Sequence, residues 1–124
     1  MDRSRPVFLE LSRIRLPIPG IVSILHRVSG VIMVLAIPVF AGLFAQALSG
    51  PEGFASVATL AGSLLGKLAL LVLAWSMIHH LLAGIRYLGL DLGWGIDRPA
   101  ARSSAWATIY GALAITLAGA VVLL

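Results

Sequence analysis

Cysteine is absent from this sequence, which removes disulfides, thiolate metal sites, cysteine nucleophiles and thioether-attached haem from consideration. Any metal has to be held by histidine or carboxylate. Charge is scarce as well: Asp, Glu, Lys and Arg together make up 11% of the chain. No carboxylate falls inside the long apolar stretches and neither HExxH nor ExxH occurs, so a zinc or di-iron site is disfavoured. The bases neither form a long run nor alternate with aromatics, which argues against nucleic acid as a partner. No apolar stretch precedes residue 20, where Arg3, Arg5, Arg13 and Arg15 stand among prolines, so the segment does not read as a cleavable secretory signal. Asp2 and Glu10 argue against a mitochondrial transit peptide, and the first helix is expected to act as its own uncleaved insertion signal. No Ser-, Gly- or Pro-rich linker and no internal repeat divides the chain, so residues 1–124 are expected to form one domain.

What is abundant is apolar surface, at 60% of 124 residues. A soluble domain of that size has no interior large enough to hide it, and the class that fits is an integral membrane protein. The spacing of apolar runs predicts an all-α fold with three transmembrane helices, over about 23–49, 58–90 and 103–124, preceded by a short amphipathic cytoplasmic segment over 1–22. Pro38 is expected to bend the first span locally. Gly50, Pro51, Glu52 and Gly53 mark a short turn after it. Lys67, near the start of the second span, is expected to snorkel to the near surface. So little mass remains outside the bilayer that a separate catalytic domain is not expected.

Orientation follows from the arginines. Four precede the first span, and the connection between spans two and three carries Arg86, Arg98 and Arg102, whereas the first connection carries only Glu52. Basic residues near helix ends stay on the cytoplasmic side, so the N-terminus is expected to be cytoplasmic and the C-terminus outside. Trp94, Trp106 and Tyr110 fall where an interfacial aromatic belt uses them.

Three polar groups stand out against this background. His79 and His80 lie inside the second apolar stretch, where an imidazole is costly unless a metal, a hydrogen bond or a water-lined cavity satisfies it. Neighbouring helix positions differ by about 100°, so the pair cannot easily serve one ion. A single histidine suits a haem whose other axial ligand comes from elsewhere. An interhelical hydrogen bond to a backbone carbonyl meets the same need, and spacing alone does not choose between the two. In SILHRVSG (23–30), Ser23 and Arg27 are i and i+4 neighbours, able to hydrogen-bond a ligand carbonyl and stabilise negative charge on it. The competing assignment makes Ser23 a helix cap and Arg27 a headgroup anchor. In GIRYLGLD (84–91), Arg86 either anchors the helix end at the surface or pairs with Asp91.

Taken together, RPVFLEL (5–11), SILHRVSG and HxxxGIR(x)₄D (80–91) resemble the cytochrome b membrane-anchor subunit of bacterial succinate dehydrogenase, respiratory complex II. The similarity runs over nearly the whole chain, including SPEGF near residue 50 with Gly50 inserted. It implies that His80, four residues before Gly-Ile-Arg, is an axial ligand of haem b, with His79 the poorer candidate. It implies that Ser23 and Arg27 line a ubiquinone site and that His26 and Arg27 meet haem propionates. It also implies partners: a second small anchor subunit supplying the other haem ligand, an iron-sulfur subunit and a flavoprotein subunit that holds the succinate chemistry. The expected location is the bacterial inner membrane. A quinol:fumarate reductase anchor and a non-catalytic membrane anchor are the alternatives. Tyr87 departs from the family, where many relatives have histidine.

Overall fold

A computed structural model describes residues 15–123. The basic segment with Arg3, Arg5 and Arg13 and the RPVFLEL motif lie outside the described residues. The order is α1 (Ile18–Leu48), α2 (Pro51–Gly62), α3 (Leu64–Asp91) and α4 (Arg98–Leu123). Three of the four, α1, α3 and α4, are long and apolar enough to cross a membrane, as the three-span expectation requires.

Helix α1 starts earlier than the apolar pattern suggests. Pro17 is its N-cap and a second proline occupies its first turn, where a missing N–H costs nothing and a fixed φ favours the helix. Its 31 residues extend about 46 Å, well beyond a hydrocarbon core of about 30 Å. The helix continues through Pro38, at the cost of the hydrogen bond that the carbonyl four residues earlier would otherwise accept.

The connection after α1 is more structured than a turn. Gly50 adopts φ 139°, open only to glycine at low cost, and Pro51 then starts the twelve-residue α2. The chain breaks again at Ser63, extended at φ −68° and ψ 158°. Its hydroxyl donates to the Leu60 carbonyl at 2.6 Å and accepts from the Gly66 N–H at 3.1 Å. One serine thus closes α2 and caps α3. A side chain at Gly66 would run into the Leu60 carbonyl, so the sharp α2–α3 junction needs glycine there. The second span therefore begins at Leu64, and residues 58–62 belong to a separate helix. Lys67 lies in the first turn of α3 and is half-buried.

Helix α3 packs against both α1 and α4, and α1 and α4 meet less extensively. The buried apolar residues are small: Val22, Ala83, Ala105, Ala112 and Ala120. Without a hydrophobic drive between helices in lipid, close backbone approach over small residues is what packs them. Large apolar side chains point outward, as with Leu65 at 74% and Val121 at 84% exposure. That inversion of the water-soluble pattern suits lipid or partner helices as surroundings. The buried Ser76 and Thr108 hydroxyls are satisfied by their own helices, donating to the Val72 and Ser104 carbonyls at 2.8 and 2.9 Å, whereas the buried Tyr87 hydroxyl has no hydrogen-bond partner among the described residues.

Candidate functional site

Val22, Ala83 and Ala105 form one buried cluster, which joins the start of α1 to the end of α3 and the start of α4. Arg15, Arg27, Arg86, Arg98 and Arg102 therefore share one end of the bundle, and Lys67 and Glu52 lie toward the other. SILHRVSG and HxxxGIR, fifty residues apart in sequence, come together at the basic end.

The centre of that contact is His80. Its Nδ1 lies 3.0 Å from the carbonyl oxygen of His26 and 3.1 Å from Oγ of Ser29. A carbonyl only accepts, so Nδ1 carries the proton and donates. The Ser29 hydroxyl donates its own proton to the same His26 carbonyl at 2.8 Å, leaving its lone pairs for Nδ1–H. With Nδ1 protonated, Nε2 of His80 presents a lone pair. The carbonyl hydrogen bond and metal ligation, alternatives in sequence, are thus compatible: each uses one ring nitrogen.

Sterics hold the ring as well. A Cβ on Gly30 would stand 3.1 Å from Cε1 of His80, so the absence of a side chain there makes room for the imidazole. The His26 ring stacks on that of His80, with centroids 3.9 Å apart and planes 16° from parallel, and Tyr87 meets His26 edge-on at 5.4 Å. Ser29 and Gly30 lie inside a motif quoted above but carried no role there. Their only sequence signal is that they stand three and four residues past His26, on its face of α1.

His79 has a different environment. It is 1% exposed, its ring stacks on Trp75 at 5.2 Å, and neither ring nitrogen meets a hydrogen-bond partner among the described residues. It points into the chain's own interior. His80 is only half-buried.

Ser23 is half-buried and Arg27 exposed. Since α1 begins at Ile18, Ser23 lies more than a turn inside it and is not a cap. Arg86 does not pair with Asp91. Five residues on a helix turn through about 500°, which leaves the two about 140° apart. Arg86 instead crosses to α4, donating from Nε to Oγ of Ser104 at 3.0 Å and from Nη2 to the Ala101 carbonyl at 2.9 Å. Its guanidinium carbon also lies 5.5 Å from the Tyr87 ring centroid. Trp94 is exposed and Trp106 stacks on Tyr110 at 5.2 Å.

Two cavities among the described residues open away from His80. One of about 880 Å³ is an apolar groove between α1, α2 and α3 toward the Lys67 end, and a cleft of about 550 Å³ opens beside Arg98, Arg102 and Trp106. Among the described residues no three His, Cys, Asp or Glu side chains converge, so a bare ion finds no ligand set there. One imidazole with an available Nε2 instead fits a metal that brings its own macrocycle, as haem does.

Over residues 1–119 the chain matches the family model described as succinate dehydrogenase/fumarate reductase transmembrane subunit. It is similar to the succinate dehydrogenase cytochrome b556 subunit of Coxiella burnetii, with 36% identity over 123 residues, 96% of this chain and 97% of that protein. The protein of the same name from Paracoccus denitrificans is 32% identical over 114 residues, 92% of this chain and 88% of its own length. That of Rickettsia felis is 28% identical over 115 residues, 91% and 88% of the two chains.

Proposed function

Because the chain belongs to the succinate dehydrogenase/fumarate reductase transmembrane subunit family, we propose that it anchors a succinate:ubiquinone oxidoreductase in the bacterial inner membrane, binds haem b through His80 and forms part of the ubiquinone site. The observation that carries the haem assignment is the donation from His80 Nδ1–H to the His26 carbonyl, which leaves Nε2 as the ligating atom. His26 and Arg27 would hold the propionates, and a second small anchor subunit would supply the other axial ligand. Haem b, when bound, supplies a one-electron carrier.

Ubiquinone takes its two electrons from the iron-sulfur subunit docked at the basic, cytoplasmic end, and two protons complete ubiquinol. The flavoprotein oxidises succinate. In this chain the Ser23 hydroxyl donates to a quinone oxygen, and the Arg27 guanidinium stabilises the negative charge that builds on that oxygen as electrons arrive. The location of both on one face of α1, one turn apart, supports the pairing. The test is a reduced-minus-oxidised spectrum of the purified complex together with its succinate-to-ubiquinone activity. A b-type spectrum and ubiquinone reduction are expected. A complex that oxidises succinate with neither would refute the reading.

A further inference from the structure

Ser29 is fully buried and makes two contacts of different kinds. Its donation to the His26 carbonyl, three residues back, is the local bond many helical serines make. Its contact with His80 Nδ1, across 51 positions of sequence, has no such local explanation. The His80 ring is bounded by the His26 ring on one face and by Gly30, where a Cβ would crowd it. Its N–H is shared between two acceptors, a fixed carbonyl and the Ser29 oxygen. Since the Ser29 proton is committed to that same carbonyl, its oxygen is oriented as an acceptor.

We propose that Ser29 is a positioning residue for the haem ligand: beside the His26 carbonyl, which sets the tautomer, its hydroxyl accepts from His80 Nδ1–H, fixes the rotation of the ring, and strengthens Nε2 as a donor to iron. This rests on the reading of His80 as the axial ligand. An acceptor on the far nitrogen raises imidazole basicity, and a more basic ligand favours the more positively charged, oxidised metal. Ser29 therefore lowers the haem reduction potential and slows haem loss.

The test uses the assembled complex with Ser29→Thr, Ser29→Val and Ser29→Ala. Threonine and valine have nearly the same shape and differ in the hydroxyl. Two quantities are measured: the haem midpoint potential, by redox titration at the b-type absorbance, and haem retained per complex after extended washing. The valine and alanine variants are expected to have a raised potential and to bind haem roughly tenfold more weakly, at the low end of such outer contacts, while the threonine variant keeps wild-type values. Assembly with haem in the threonine variant alone also supports the proposal. Identical behaviour of threonine and valine variants, failure of all three, or wild-type values in valine and alanine variants would each overturn it. A His80→Ala complex separates this from the underlying reading: an unchanged spectrum there refutes the ligand assignment itself, whereas a lost spectrum beside unaffected Ser29 variants refutes only the role of Ser29.

Discussion

Ser23 and Arg27 stand one turn apart on α1, and their proposed roles differ enough in size to be separated. Ser23→Ala removes a neutral hydrogen bond worth about 0.5–1.5 kcal/mol, a loss of up to roughly tenfold in quinone reduction. Arg27→Leu removes a charge as well and should cost more, since bonds to charged groups are worth about 1.5–3 kcal/mol. Both complexes should still oxidise succinate with a soluble acceptor that takes electrons upstream. Wild-type quinone reduction in an assembled Arg27→Leu complex would return this arginine to the role of headgroup anchor. At this scale the sequence was informative about chemistry but silent about partners. His79 and His80 were both legible as polar groups needing satisfaction, because each is an imidazole inside an apolar stretch, and only the family resemblance singled out His80 as the expected ligand. Ser29 was not legible, because a serine in a membrane helix ordinarily bonds its own backbone, and only the packing of α1 on α3 brings the His80 ring to it.

Among the elements, the α3–α4 junction turns on Arg86, which reaches Ser104 and the Ala101 carbonyl across the interface. Arg86→Met keeps most of the stem but loses both charge-assisted bonds, and should lower complex stability by about 1.5–3 kcal/mol. Asp91→Asn should leave stability within about 0.5 kcal/mol, the usual range for surface changes away from a bonding network. Thermal unfolding of the detergent-solubilised complex measures both, and a large loss from Asp91→Asn with none from Arg86→Met would restore the pairing with Asp91. The three spans were readable from apolar length alone, whereas the separate helix α2 was not. Its boundary is set by Ser63, whose oxygen serves two helix ends at once, and a serine among Gly, Ala and Leu gives hydropathy no reason to break.

For the whole molecule, the packing gathers Arg15, Arg27, Arg86, Arg98 and Arg102 at one end, and we propose that this end is the cytoplasmic one, since basic residues near helix ends are retained on that side. The absence of cysteine makes this directly testable, since Ser103→Cys and Ser56→Cys each carry a single thiol on an exposed residue. A membrane-impermeant thiol reagent should label Ser103→Cys from the cytoplasmic face and Ser56→Cys from the other, and the reverse pattern would move the proposed quinone site to the wrong side of the bilayer. The central claim, that His80 holds haem at this basic end while His79 packs the interior, is tested most directly by the reduced-minus-oxidised spectra of the assembled His80→Ala and His79→Phe complexes. Loss or marked alteration of the b-type signal in His80→Ala, with the signal kept in His79→Phe, is the predicted result. A signal that survives His80→Ala and disappears in His79→Phe would contradict it.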